Sequence, residues 1–99
     1  MSLRTRQSAF VQAVGSLITY AYGLGYELTF GDTYPNRKHK PDSFHEKGLA
    51  IDLNLFRDSR YLKLTEDHTP LGLYWKSLGG TWGGRFKNPD GNHYSWGEK

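Results

Sequence analysis

The chain has 99 residues, of which 13 are Lys or Arg and 10 are Asp or Glu, giving a formal charge of +3 and an isoelectric point near 9.2. That length fits one domain with a small core, and the charge mildly favours an anionic partner such as nucleic acid, an anionic membrane or a wall polymer. The absence of cysteine excludes disulfide scaffolds and cysteine-based zinc fingers, and no segment approaches the ~18 consecutive apolar residues that insertion into a membrane requires.

Arg4 and Arg6 precede a fairly apolar segment, as they would in a secretory signal, but Gln12, Ser16 and Thr19 interrupt it. Its apolar residues Phe10, Val11, Val14, Leu17, Ile18 and Ala21 follow helical spacing, so the segment reads as an amphipathic helix over residues 8–22, stopped by Gly23 and Gly25. The expectation is a soluble chain with no signal peptide. Tyr26, Leu28 and Phe30 alternate with Glu27 and Thr29, which predicts a half-buried strand over 26–30. Residues 34–42 carry two prolines and the basic cluster Arg37, Lys38, His39 and Lys40 without periodicity, and read as a surface loop.

A central strand follows over 49–56, with Leu49, Ile51, Leu53 and Leu55 on one face and Ala50, Asp52 and Asn54 on the other. Asp58-Ser59 reads as a hairpin turn into a weaker strand over 61–64. Thr69-Pro70 resembles an N-cap followed by a first-turn proline. It opens a second helix with the stripe Leu71, Tyr74, Trp75 and Leu78, ended by Gly79-Gly80. After the turn signal Asn88-Pro89-Asp90-Gly91, a closing strand is expected over 93–96. These elements make a small α+β domain over residues 1–99, two main helices packed on an antiparallel sheet whose strand ends present the site. Trp75, Trp82, Tyr94 and Trp96 could line a groove, but in so small a domain most aromatic residues belong to the core.

Within this frame Asp52 is an acid in an apolar strand, and such a charge needs a cation, a metal or a hydrogen-bonding partner. His45 stands seven residues earlier, an odd separation, so Glu46-Lys47-Gly48 must bend the chain for the two groups to converge. Asp90 and His93 supply a second carboxylate and a second imidazole. Two histidines and one carboxylate suit a catalytic zinc with an open fourth position, leaving Asp90 as the candidate base. The pattern is not the helical HExxH, because Leu49 stands four residues beyond His45. His68, beside Glu66 and Asp67, and His39, in the lysine-rich loop, read as surface residues.

Ser43-x-His45-x-x-Gly48-x-Ala50-x-Asp52-Leu53 followed by Asp90-x-x-His93 and an aromatic tail resembles the zinc D,D- and L,D-peptidases of bacterial cell walls. That family includes D-alanyl-D-alanine carboxypeptidases and the phage endolysins that cut L-alanyl-D-glutamate. The resemblance implies zinc, one ion per chain, held by His45, Asp52 and His93. It implies Asp90 as general base and peptidoglycan stem peptide as substrate. Many members have Glu at the position of Asp90; Asp occurs in endolysin-like ones. Ser43 shares the face of His45 and reads equally as a substrate contact or a turn hydroxyl. The family places a substrate-binding arginine upstream of the first ligand, for which Arg37 is the nearest candidate, with a solvated loop charge as the alternative. An endolysin without an export signal would stay in the host cytoplasm until released to the wall. Two other classes stay open: a basic nucleic-acid-binding domain, suggested by Arg4, Arg6, Arg37, Lys38 and Lys40, and an inert zinc-bearing module on the same scaffold. Neither the bond cut nor the oligomeric state is legible in the residues.

Overall fold

The computed structural model describes residues 1–31, 44–45 and 47–97. Helix α1 spans Leu3–Gly23, beginning well before the apolar periodicity does. Ser2 accounts for the early start, because its hydroxyl accepts the Thr5 N–H at 3.1 Å and caps a polar first turn that periodicity does not register. The helix buries Phe10, Ala13, Leu17 and Ala21, a stripe of three- and four-residue steps. Val11, expected inward, lies off that stripe and is 67% exposed.

The chain then forms strand β1 (Glu27–Phe30), β2 (Ala50–Arg57), β3 (Arg60–Tyr61), helix α2 (Thr69–Ser77), β4 (Thr81–Trp82) and β5 (His93–Ser95). This is the expected α+β architecture. The sheet has the order β1-β2-β5-β4, with β3 also paired to β2 and every described pairing antiparallel. Asp58 and Ser59 have φ of 52° and 64°, the double positive-φ turn that matches the twist of a two-residue hairpin. Strand β3 is shorter than expected because the chain turns into a 3-10 segment, Thr65–His68, where Asp67 accepts the Leu64 N–H at 3.1 Å. That segment runs straight into α2, so Thr69 is its first helical residue and not its cap. Strand β4 has no counterpart in the expected elements.

Successive residues of a strand turn their backbone groups to opposite edges. On β2, Asp52 O accepts from Gly31 on the β1 side, while Leu53 N donates to Asn92 O and Leu55 O accepts from Leu62 N. Strands β5 and β3 therefore share one edge of β2, end to end. The core lies where both helices meet one face of the sheet: Phe10 and Leu17 from α1, Leu71 and Trp75 from α2, and Leu49, Leu53 and Leu55 from β2 are all buried. Each such side chain contributes about 1.5–3 kcal/mol of burial. Trp75 also donates its indole N–H to Thr81 O and Ser95 O, fixing α2 to both β4 and β5. Trp75, Trp82 and Tyr94 are core residues, as expected, and Trp96 is half-buried.

Candidate metal centre

The side chain of Asp52 leaves β2 on the face away from Leu53 and Leu55, and in the β2–β5 ladder its direct partner is His93. Residues opposite each other in an antiparallel pair hold their side chains side by side. The His93 Nδ1 is accordingly 3.5 Å from Asp52 Oδ1. His45 reaches the same oxygen from a turn. Gly48 N donates to His45 O at 3.1 Å and Leu49 N to Phe44 O at 2.8 Å, with Gly48 at φ +69°. That conformation suits glycine, and it supplies the bend that the odd spacing from His45 to Asp52 demands. Gln7 of α1 ties the turn down through its Nε2, 2.6 Å from Lys47 O.

The outcome is His45 Nε2 at 3.4 Å from Asp52 Oδ1, the two imidazole centroids 5.2 Å apart, and one ligand atom from each of the three residues within 4.8 Å of the others. Asp52 Oδ1 is buried and has no hydrogen-bond partner. An oxygen so placed costs about 1–3 kcal/mol, more if charged, unless something satisfies it. A cation does so. Ligands about 2.0–2.2 Å from a tetrahedral zinc lie roughly 3.3–3.6 Å from one another, which is the spacing seen between the carboxylate and each imidazole. Two nitrogens and one oxygen are also the donor set of a hydrolytic zinc site with its fourth position open.

Asp90 is exposed at the start of the turn that leads into His93. That turn is closed by His93 N donating to Asp90 O at 3.1 Å and is anchored by Asp90 N donating to Gly83 O at 2.8 Å. Two residues hold it, of which Trp82 is expected from the sequence only as a core or groove aromatic. Trp82 donates its indole N–H to Gly91 O at 2.7 Å, and Gly83 packs so closely that a Cβ there would lie 2.3 Å from Asp90 O and 2.9 Å from His93 Cβ. The signal available in advance was the Trp-Gly-Gly run just before the turn. Phe86 also packs against His93, ring centroids 5.5 Å apart.

His68 departs from expectation. It is 3% exposed and not a surface residue, with Nδ1 2.8 Å from the Tyr94 hydroxyl. The 3-10 segment Thr65–His68 carries it against Tyr94 of β5. Burial lowers its pKa from 6.5 to about 4, against the opposing pull of Asp67, and burial likewise raises that of Tyr94. Both groups are neutral at pH 7. Ser43, Arg37, His39, Glu46 and the basic cluster over 37–40 lie outside the described residues. Among the described residues, no helix is long and apolar enough to cross a membrane.

The sequence matches the D-alanyl-D-alanine carboxypeptidase family over residues 36–96. No curated protein matches the chain. The matched segment covers more than half of the 99 residues and contains His45, Asp52, Asp90 and His93 together with the Trp82-Gly83 support beneath them. The chain therefore belongs to the D-alanyl-D-alanine carboxypeptidase family of zinc metallopeptidases.

Proposed function

We propose that this protein hydrolyses an amide bond in the peptide stem of bacterial peptidoglycan, as a D,D- or L,D-specific enzyme of endolysin type, and that residues 1–99 act as one catalytic domain. The observation that carries the reading is the buried Asp52 oxygen, without a hydrogen bond, set 3.4 and 3.5 Å from two imidazole nitrogens. His45, Asp52 and His93 would hold one zinc ion. When bound, zinc supplies Lewis-acid polarisation of a carbonyl and lowers the pKa of water from 15.7 toward about 7.

The rest of the chemistry falls to the chain. Asp90, exposed three residues before His93, takes the proton from the attacking water and returns it to the departing amine, one carboxylate serving as base and then acid. Gly83 and Trp82 hold that carboxylate's turn in place. Ser43 and Arg37 are the proposed substrate contacts, Arg37 through a carbonyl or carboxylate of the stem. In an endolysin role the protein would stay in the host cytoplasm until released to the wall.

Mass spectrometry of fragments released from purified peptidoglycan, with and without chelator, tests the reading and identifies the bond cut. Metal-dependent release of stem fragments is expected; stoichiometric zinc with no release would reduce the protein to an inert zinc-bearing module. Asp90→Ala should keep the zinc and lose hydrolysis, whereas His45→Ala should lose both. An Asp90→Ala variant that still lyses walls would remove the assignment of the base.

A further inference from the structure

Between the chain leaving β3 and the turn entering β5 lies a polar cavity of about 240 Å³, several times the ~30 Å³ that one water occupies in the liquid. One wall is the turn bearing Asp90 and Asn92; the facing wall includes Lys63, Thr65 and His68. Gly91 brings the walls together, since a Cβ on it would lie 2.5 Å from Thr65 Cα. The cavity therefore adjoins the segment that carries the general base, on the side of the turn facing β3.

The tautomer of His68 decides what this cavity offers. The Tyr94 side chain is fully buried, and its hydroxyl bonds to His68 Nδ1 at 2.8 Å. A buried O–H denied an acceptor would cost about 1–3 kcal/mol, so the phenol donates and Nδ1 accepts. A neutral imidazole that accepts at Nδ1 carries its proton on Nε2, and His68 is held neutral by burial. His68, a buried residue that lines the cavity, thus carries its N–H donor on the ring nitrogen turned away from Tyr94. Lys63, which lines the same wall, adds a flexible ammonium. A neutral donor and a cation on one wall favour a carboxylate over an uncharged amide, because hydrogen bonds to an ionised acceptor are roughly twice as strong.

We propose that this cavity holds the terminal carboxylate of the peptide substrate, with His68 Nε2–H and the Lys63 ammonium as its donors, so that these two residues set which peptides are accepted. The inference rests on the peptidase reading above. It leaves Arg37 a substrate carbonyl to bind. It also explains why a histidine and a tyrosine are buried as a pair directly beneath the base-bearing turn.

The test is binding of D-alanyl-D-alanine and of its C-terminal amide to the zinc-loaded protein, followed by NMR with nitrogen-15-labelled histidine. Wild type should bind the carboxylate form at least tenfold more tightly, with the Nε2 resonance of His68 moving on titration. His68→Asn keeps an acceptor for Tyr94 at the place of Nδ1, while its shorter amide does not reach the position of the Nε2–H donor. Lys63→Met removes only a charge at the rim and leaves the fold intact. Each variant should lose most of the preference for the carboxylate. A preference that persists in both variants would place the carboxylate on the metal and overturn the proposal, as would equal binding of the two forms, no binding of either, or a static His68 resonance. Peptidoglycan hydrolysis is scored separately: release of stem fragments without these binding effects sinks the cavity assignment alone, and absence of release sinks the proposed function itself.

Discussion

His93 and Tyr94 are neighbours on β5 and project to opposite faces of the sheet, and each meets a polar group from elsewhere in the chain. Tyr94 meets His68 in a hydrogen bond of 2.8 Å, and both groups are neutral. His93 meets Asp52 at 3.5 Å, with His45 at 3.4 Å from the same oxygen, and that oxygen has no hydrogen bond. On one face the buried tyrosine hydroxyl finds its partner; on the other a buried carboxylate oxygen has no hydrogen bond, and its natural complement is a cation. A site of this kind is recognised by what its geometry leaves unsatisfied, and not by the number of histidines within reach.

The strongest way to break the contrast is to neutralise the acid. Asp52→Asn should eliminate zinc binding and hydrolysis altogether, yet leave the chelator-treated protein at least as stable as wild type at pH 7, because it replaces a buried carboxylate whose Oδ1 has no hydrogen bond by a neutral amide whose N–H can donate to an imidazole nitrogen. Denaturant midpoints and metal content together check this. A marked loss of metal-free stability would mean that the carboxylate is already satisfied by the two imidazoles.

The next effect comes from beneath the site. A Cβ on Gly83 would meet Asp90 O at 2.3 Å, so Gly83→Ala must shift the turn that carries Asp90. A displacement of about 1 Å at a reacting group can cost about a hundredfold in rate, and a loss of at least that order in kcat is expected, together with weaker zinc binding, because the same Cβ would lie 2.9 Å from His93 Cβ. Steady-state kinetics beside metal analysis reads both.

The smallest effect sharpens the comparison from the core face. The unfolded chain protonates His68 near 6.5, while the folded chain does so only at about 4. The unfolded state therefore binds more protons between those values, and stability present above pH 6.5 is lost as the pH falls through that window. The loss should be on the order of 2 kcal/mol in wild type and largely absent in His68→Asn. Unfolding curves at pH 7 and pH 4.5 for both proteins measure it, and because the zinc ligands are common to both, their own protonation cancels in the comparison.

Much of this was legible in the residues. The alternation of Leu49, Leu53 and Leu55 against Asp52 and Asn54 predicts β2 and the face on which its acid stands, and Gly48 predicts the bend that returns His45 to it. The hidden parts are those that depend on tertiary contacts. Periodicity cannot see that Ser2 caps α1, because the first turn is polar and exposed. It also misplaces Val11, whose side chain points to solvent while the small Ala13 is buried. The two-residue strand β4 is too short to carry an alternating pattern, and its role emerges only from the Trp82 bond to Gly91 O. His68 follows two acids and precedes a helix, a context that looks solvated. It is buried because the 3-10 segment carries it under Tyr94, a contact 26 residues away in the chain.

The central claim is most directly tested by anomalous scattering at the zinc edge from crystals of the metal-loaded protein. The account predicts a single peak per chain, about 2.0–2.2 Å from His45 Nε2, Asp52 Oδ1 and His93 Nδ1. No peak between those three atoms, or a peak held by other residues, would contradict it.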